Sequence, residues 1–338
     1  MSDMAAADYE RFARAALPHY NLGSATVTLL SFSENGTFLV DDGGERVVLR
    51  VHRPGYHSLA AIESELDWME SLRLTSSITT PQVIPAPDGR RVVEARVGDE
   101  TCLVDLFTFV EGTIAEDDAS DISFSELGAI TAALHDHVQQ WQRPEAFTRF
   151  SWDLETMLGP AGRWGNWRHA PALSADDAAI IEEAERKVID RLTDYGMGPE
   201  RFGLVHADLR MSNLMVHQGK ITVIDFDDCG WSWYLTDLGA VVSFIEESPD
   251  APRIIDEWLE GYRSVRDIPA ADLAEIPTFV MLRRLMLTAW IGTHPESSPA
   301  QTLGHRYASG TAQLAQAYLT DPSWFRVDVP ATAHTLAH

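Results

Sequence analysis

The segment LVHADLRMSNLMV, residues 204–216, carries four polar side chains between two short apolar runs. Apolar runs of this kind are typical of buried strands, and the residues between them include His206, Asp208, Arg210 and Asn213. An ordinary turn would satisfy the aspartate and the asparagine through local hydrogen bonds to the backbone. Taken alone, the segment is therefore compatible with a simple turn or with a functional loop.

The sequence that follows favours the functional loop. His206, Asp208 and Asn213 have the spacing H-x-D-L-x-x-x-N of a kinase catalytic loop. A further apolar run, KITVID, ends at Asp225, which lies 17 residues beyond Asp208 and begins the sequence D-F-D. Phosphoryl transfer needs a carboxylate beside the acceptor hydroxyl and oxygen ligands that hold Mg²⁺ on the nucleotide phosphates. We therefore expect Asp208 to be the catalytic carboxylate, and Asn213 and Asp225 to be the metal ligands.

The composition limits the classes of partner. A chain of 338 residues is too long for one simple core, which favours two lobes or domains. Its 26 basic and 51 acidic residues give a formal charge of −25, and such a surface repels nucleic acid and anionic membranes. We therefore expect no nucleic acid and no membrane as a partner. The same charge attracts cationic small molecules, although an acidic surface also serves solubility alone.

The cysteines and the N-terminal segment indicate a cytoplasmic protein. Cys102 and Cys229 have the spacing of neither a disulfide framework nor a zinc motif, which suits a reducing compartment. Asp3, Asp8 and Glu10 stand where a signal peptide would be basic and then apolar. No apolar run in the sequence approaches the length of a membrane span.

The first hundred residues predict a small antiparallel sheet with one inserted helix. SATVTLLSF, GTFLV and ERVVLRV are predicted strands, and RRVVEARV with ETCLVDLFTF is a predicted hairpin. Between these groups, Ile62, Leu66, Met69 and Leu72 recur at spacings of four and three, as on one face of a helix.

After residue 112 the pattern becomes mainly helical. Ser123 and Glu126 have the spacing of a capping box, and Ser174 and Gly196 bound a second helix. Three more helical patterns lie near 252–263, 272–292 and 300–319, and the segment from 204 to 226 is a strand-loop-strand island. We therefore predict a β-rich nucleotide-binding lobe over 1–108, a hinge at 109–112, and a helical lobe over 113–338 that carries the catalytic and metal-binding loops.

Three motifs together carry a resemblance. LVHADLRMSNLMV, ITVIDFDDCG and YLTDLGAVV resemble the phosphotransferase family of aminoglycoside phosphotransferases, choline kinases and type II homoserine kinases, including its stress-response kinase group. The resemblance spans roughly residues 25 to 320. It implies an α+β, protein-kinase-like two-lobed fold and the use of ATP, or alternatively GTP, with Mg²⁺.

The resemblance also assigns residues around the nucleotide phosphates. Arg50 stands where the family usually has a strand lysine that binds phosphates, and arginine keeps the charge but differs in reach. Glu65 is the expected helix carboxylate that orients Arg50. Glu63 is the alternative, but two residues apart on a helix means opposite faces, so only one of them can serve.

The remaining assignments concern the nucleotide and the catalytic loop. Ser33, Asn35, Gly36 and Thr37 resemble the loop that covers the phosphates, although a plain hairpin turn fits them nearly as well. The backbone of Phe109, Val110 and Glu111 would bind the adenine edge. Asp237 resembles an aspartate that braces the catalytic loop. Asp227 is either an extra metal ligand or an exposed neighbour of the metal site, and we expect the latter.

Two further sets of residues leave alternatives open. The aromatic residues either line an acceptor pocket or belong to the core: Trp164, Trp167, Trp231, Trp233 and Tyr234. The carboxylates after the hinge either attract a cationic acceptor or form a solvated face: Glu116, Asp117, Asp118, Asp121 and Glu126. His135 and His137 lie two residues apart on a helix, which is the wrong spacing for a shared metal.

Together these features predict an ATP- and Mg²⁺-dependent phosphotransferase that acts on the hydroxyl of a small molecule. An amine-bearing acceptor is favoured, such as an amino alcohol, a hydroxy amino acid or an aminoglycoside. We expect a monomer or a homodimer. The alternatives are a protein Ser/Thr kinase of the stress-response type and a nucleotide-binding pseudokinase with a regulatory role.

Overall fold

The chain is described here by a computed structural model, over residues 5–32, 35–117, 122–321 and 323–326. Within these ranges, no helix is both long enough and apolar enough to cross a membrane. The helices are α1 Ala6–Ala16, α2 Leu59–Thr75, α3 Phe124–Gln140, α4 Leu154–Leu158, α5 Ala175–Tyr195, α6 Leu235–Val241, α7 Ala251–Arg263, α8 Ala270–Leu273, α9 Ile276–Thr293 and α10 Ser298–Thr320. The strands are β1 Thr26–Phe32, β2 Gly36–Asp42, β3 Glu45–Val51, β4 Val92–Val97, β5 Glu100–Thr108, β6 Thr113–Ile114, β7 Phe202–Val205, β8 Leu214–His217, β9 Lys220–Val223 and β10 Gly230–Trp233.

The chain divides into two compact units. The first comprises the described part of Met1–Asp121 with Gln140–Phe150 and Ser212–Cys229, and the second comprises the described parts of Ile122–Gln139, Ser151–Met211 and Gly230–His338. The lobe boundary at residues 109–112 stays a prediction.

The main sheet of the first unit is antiparallel, with the strand order β1-β2-β3-β5-β4. The helix α2 enters between β3 and β4 along the chain, so the predicted sheet with one inserted helix is present. The helix α1 was not predicted, and it covers the core with a stripe of buried residues, Tyr9, Phe12, Ala13 and Ala16. The last three of these residues follow Tyr9 at spacings of three, four and seven, which is typical of one face of a helix.

A smaller sheet in the same unit has the order β6-β8-β9. Gly112 precedes it with a φ of +126°, and a Cβ at this position would lie 2.1 Å from the carbonyl oxygen of Val216. Only glycine therefore fits the approach of the predicted hinge to β8.

The predicted strand-loop-strand island is present, and its strands are divided between two sheets. The strands β8 and β9 form a hairpin, but β7 pairs with β10 in a separate two-stranded sheet. The two apolar runs that flank the catalytic-loop motif therefore belong to different sheets.

The second unit is mainly helical, and its helix ends follow the predicted capping chemistry. The Ser123 amide donates to the Glu126 carboxylate, and the Glu126 amide donates to the Ser123 hydroxyl oxygen. Ser174 caps α5, and Gly196 follows its last turn with a φ of +76°. The helix predicted over 272–292 is broken into α8 and α9, because Pro277 lacks an amide hydrogen and therefore favours the first turn of a new helix.

Candidate active site

The predicted site residues fall into two sets, one in each compact unit. The first unit holds the residues assigned to the nucleotide and the metal. The second unit holds the predicted catalytic aspartate, Asp208, and its predicted brace, Asp237.

The β8–β9 hairpin brings the predicted metal ligands onto neighbouring segments. Leu214 pairs with Val223, and one step further the Ile224 amide donates to the Asn213 carbonyl oxygen at 3.0 Å. Asn213 therefore lies beside the segment that carries Asp225. An amide oxygen and a carboxylate are ligands that suit Mg²⁺.

The backbone at Asp225 has a φ of +60°, which is uncommon outside glycine, and its side chain is exposed. Residues in this conformation concentrate at functional sites, where the surrounding structure holds them. Among the described residues, no group of three or more His, Cys, Asp or Glu side chains forms a metal site. A magnesium site on a nucleotide does not need one, because phosphates and water supply most of its ligands.

Arg50 lies in the centre of a buried ion-pair network. Its Nη1 atom lies 2.8 Å from Oε1 of Glu65, which extends from α2 and is fully buried. Glu63 points elsewhere, since its carboxylate accepts a hydrogen bond from Nε of Arg91 at 2.7 Å. The structure therefore joins Arg50 to the expected Glu65 and not to Glu63, and only one of the two glutamates faces Arg50.

Asp105 is a second partner of Arg50, and the sequence analysis missed it. Arg50 and Asp105 face each other in the β3–β5 register, and the guanidinium donates to the carboxylate at 3.1 and 2.7 Å. Although burial alone would raise it, Arg50 and His52 lower the pKa of Asp105 to about 2. An acidic residue within the apolar strand ETCLVDLFTF was the available signal, because a buried carboxylate requires a cationic partner.

Asp227 is buried, which corrects the expectation of an exposed neighbour. Its carboxylate lies 3.4 Å from Nε2 of His57 and 3.8 Å from Nδ1 of His52. Arg149 donates to the backbone carbonyls of Asp227 and, at 2.6 Å, of Cys229. These cationic and polar groups come from distant parts of the chain, and together they make the burial of Asp227 tolerable.

The predicted phosphate-covering loop is only partly described. Ser33 lies outside the described residues, and Asn35 accepts a hydrogen bond from the Arg53 amide at 2.9 Å. Gly36 pairs within the sheet, and a Cβ there would lie 2.8 Å from Cβ of Tyr9, so packing explains this glycine. Thr37 pairs with Arg50 across β2 and β3. Contact of this loop with phosphate stays a prediction.

The hinge segment follows β5 directly. The Arg46 guanidinium lies 4.2 Å from the ring centre of Phe109 and also pairs with the exposed carboxylate of Glu111. Val110, which stands between Phe109 and Glu111 in the sequence, is half-buried. The side chains of this segment are thus held from β3, and the binding of adenine by its backbone stays a prediction.

In the second unit, Asp237 holds the backbone that leads to Asp208, the predicted catalytic aspartate. Its carboxylate accepts hydrogen bonds from the amides of His206 at 3.2 Å and Ala207 at 2.7 Å. Nε2 of His135 lies 3.0 Å from the same carboxylate, and Nδ1 of His135 lies 2.9 Å from the Tyr262 hydroxyl. Burial lowers the pKa of His135. A neutral His135 therefore orients Asp237, which in turn holds Ala207 at a φ of +69°.

Asp208 itself lies between two arginines. Arg210 donates to both of its carboxylate oxygens, at 3.1 and 3.2 Å, and Arg283 donates to Oδ1. Although burial acts in the opposite direction, Arg210 and Arg283 lower the pKa of Asp208. The carboxylate is therefore ionised near neutral pH, in the form that can accept a hydrogen bond from an alcohol.

The aromatic residues with open assignments are mostly in the core. Trp164, Trp167, Trp233 and Tyr234 are buried, whereas Trp231 is half-buried. The acidic segment after the hinge is exposed where it is described, at Glu116, Asp117 and Glu126, and the Glu126 carboxylate caps α3. Asp118 and Asp121 lie outside the described residues. The solvated-face interpretation therefore accounts for Glu126.

Comparison with known proteins points to one family and one activity class. The model of the phosphotransferase enzyme family matches residues 26–273. A solved structure of the microcompartment-associated aminopropanol kinase is 46% identical in sequence and superposes with a TM-score of 0.86, over 92% of this chain and 98% of its own.

Two amicoumacin kinases are more distant relatives. The enzyme of Bacillus subtilis (strain 168) is 23% identical over 290 residues, which are 82% of this chain and 83% of that kinase. The structure of amicoumacin kinase hAmiN in complex with AMP-PNP, Ca²⁺ and Ami is 24% identical, with a TM-score of 0.69, over 86% of this chain and 87% of its own. The predicted α+β, protein-kinase-like fold is confirmed by these similarities.

Proposed function

The chain belongs to the phosphotransferase enzyme family, and we propose that it transfers the γ-phosphoryl group of ATP, with Mg²⁺, to the hydroxyl of a small amino alcohol. The observation that carries the substrate class is the 46% identity with an aminopropanol kinase over nearly the whole of both chains. The net charge of −25 agrees with it, because an amino alcohol is a cation at neutral pH.

The residues assigned to the metal and to the nucleotide have separate roles. Asn213 and Asp225 would hold Mg²⁺, which neutralises charge on the β- and γ-phosphates when it is bound. Arg50, fixed by Glu65 and Asp105, would bind the α- and β-phosphates. The cocrystal of a relative with AMP-PNP supports an adenine nucleotide.

Asp208 would act at the acceptor. Its ionised carboxylate accepts a hydrogen bond from the acceptor hydroxyl and directs the oxygen at the γ-phosphorus. The new oxygen–phosphorus bond forms as the bond to the β-phosphate oxygen breaks, and the hydroxyl proton leaves toward Asp208. The products are ADP and a phosphate ester of the amino alcohol.

The proposal also covers the enzyme class and the cellular compartment. The presence of Asp208, Asn213 and Asp225 together supports a turning-over enzyme over a nucleotide-binding pseudokinase. Both cysteines remain thiols, which supports a reducing compartment such as the cytoplasm.

The test is an acceptor panel with a matched pair of substrates. We would measure ADP release by the purified full chain with Mg²⁺-ATP and with aminopropanol, ethanolamine, serine, homoserine, an aminoglycoside or a protein substrate. Propane-1,2-diol serves as the control, because it matches aminopropanol in size but lacks the amine. We expect kcat/KM for aminopropanol to exceed that for the diol by about tenfold or more.

The Asp208→Asn variant completes the test. It should abolish ADP release that depends on the acceptor and leave nucleotide binding nearly unchanged, as measured by calorimetry. Equal rates with the diol and with aminopropanol, or a wild-type rate in Asp208→Asn, would contradict the proposal.

A further inference from the structure

Arg283 lies on α9 within a mainly apolar stretch of the helix, and only 3% of the residue is exposed. Burial of a guanidinium costs several kcal/mol unless every polar group finds a partner. A second buried arginine, Arg284, is its neighbour on the same helix. Each of the two guanidinium groups therefore needs hydrogen-bond partners inside the protein, and the two groups have different partners.

All three nitrogens of Arg283 have partners in the second unit. Nε donates to the Ser243 hydroxyl at 2.9 Å, Nη1 donates to the Ala207 carbonyl at 3.0 Å, and Nη2 donates to Oδ1 of Asp208. The guanidinium also lies 4.9 Å from the ring centre of Trp164. The rigid guanidinium of Arg283 thus binds both the backbone just before Asp208 and the Asp208 carboxylate.

Arg284 has a different set of partners. Nε donates to the Thr311 hydroxyl at 2.7 Å, Nη1 donates to the Glu246 carboxylate at 3.0 Å, and Nη2 donates to the Tyr307 carbonyl at 3.1 Å. These contacts join α9 to α10 and to the segment after α6. Arg284 is therefore a structural arginine that is buried to a similar degree as Arg283, which makes it a matched control.

Arg210 differs from both, because its side chain is 27% exposed and comes from the same loop as Asp208. Its contacts with the two carboxylate oxygens of Asp208 are 3.1 and 3.2 Å. A half-buried arginine on a short loop can exchange partners at little cost, whereas Arg283 is held by three separate hydrogen bonds.

We propose that Arg283 is a positioning residue for phosphoryl transfer, which fixes Oδ1 of Asp208 from α9 so that Oδ2 meets the acceptor hydroxyl. The inference rests on the proposed function, because the role given to Arg283 requires Asp208 to be the catalytic carboxylate. It predicts a defect in kcat, because a small displacement of a reacting group costs about 100-fold in rate.

The inference also predicts a change in the pH profile. The charged or titratable groups that act most strongly on Asp208 are Arg210 from its own loop, Arg283 from α9 and His206 from the loop. Removal of the Arg283 charge disfavours the ionised carboxylate, so its pKa rises. Since the ionised form is the active one, the acidic limb of the rate profile should move to higher pH, by about one unit.

The experiment compares Arg283→Met and Arg283→Lys with Arg284→Met and Arg284→Lys in the full chain. For each variant we would measure thermal unfolding, the Kd for Mg²⁺-ATP, kcat and KM with aminopropanol, and the pH dependence of kcat/KM. Arg283→Met should lose about 100-fold in kcat with an unchanged Kd for Mg²⁺-ATP and a displaced acidic limb. Arg283→Lys should restore the limb, because it keeps the charge, but not the full kcat, because it loses the fork.

The Arg284 variants should lose stability but keep the wild-type kcat and acidic limb in the folded protein. If Arg283 and Arg284 variants show the same kcat and the same limb, Arg283 is structural and the inference is overturned. If Arg283→Met does not fold, Arg283→Lys against Arg284→Lys decides on the same two measurements. If the wild-type chain phosphorylates no small alcohol, the proposed function and this inference are overturned together. If the wild type is active but the four variants show the same kcat and the same acidic limb, this inference alone is overturned.

Discussion

The Arg50 guanidinium lies 2.8 Å from the Glu65 carboxylate, and both side chains are buried. Removal of one partner leaves the other as an uncompensated buried charge, so Arg50→Ala should lose activity. Arg50→Lys should retain part of it, because the charge remains but the fork does not. A double-mutant cycle with Glu65→Gln, read in the Kd for Mg²⁺-ATP, should give a coupling of about 1 to 3 kcal/mol.

The control for this cycle is Glu63→Gln, because Glu63 lies on the same helix but pairs with Arg91. Its effect should add to that of Arg50→Lys. Additive effects for Glu65 as well would show that the ion pair does not contribute to nucleotide binding.

Asp225→Asn should weaken Mg²⁺-ATP far more than ATP in the presence of a chelator. The change removes a negative charge from the predicted metal site while it preserves the size of the side chain. Calorimetric titration with and without Mg²⁺ measures the difference, and Asp228→Asn is a neighbouring control whose carboxylate accepts a hydrogen bond from Tyr56. Equal weakening with and without the metal would remove Asp225 from the ligand set.

Asp105 should make stability depend on pH in a defined window. Its folded pKa of about 2 lies below the unfolded value of about 3.9, so its ionised form contributes stability that is present above pH 4 and is lost as the pH falls toward 2. The difference in the free energy of unfolding between wild type and Asp105→Asn should therefore be constant above about pH 5 and shrink below it. Chemical denaturation at a series of pH values measures this difference, and a constant gap down to pH 3 would contradict it.

The acceptor should show the signature of electrostatic attraction. Mobile ions screen charges beyond about 8 Å near physiological ionic strength, so added salt should raise the apparent KM for aminopropanol. The KM for propane-1,2-diol, which is neutral, should change little. If the two acceptors respond alike, the acidic surface serves solubility and not recognition.

Local spacing was enough to select the segments to which we assign the chemistry. Asp208, Asn213 and Asp225 were selected because phosphoryl transfer requires fixed intervals along one short stretch. Helix geometry allowed only one of Glu63 and Glu65 to face Arg50, the resemblance favoured Glu65 because Trp68 follows it by three residues, and the structure joins Glu65 to Arg50.

The missed residues share a different property, since each acts on a partner far away in sequence. Asp105 meets Arg50 across 55 residues, and Arg283 meets Asp208 across 75. No periodic pattern specifies such a pair. The sequence did contain a charged residue within an apolar run, which predicts that the charge has a partner of opposite sign but does not identify that partner.

The two buried thiols make the native chain suitable for site-specific labelling. Cys102 is 2% exposed and Cys229 is fully buried, and burial raises the pKa of Cys102 to about 11 and that of Cys229 further. Thiolate is the reactive form, so both should remain silent toward maleimides at neutral pH. A cysteine introduced at Leu74 on the first unit or at Met197 on the second, both more than half exposed, would then be the single reactive site of its variant. A doubly substituted chain with two dyes would let energy transfer follow how the units respond to nucleotide and to acceptor, without any change to the native cysteines.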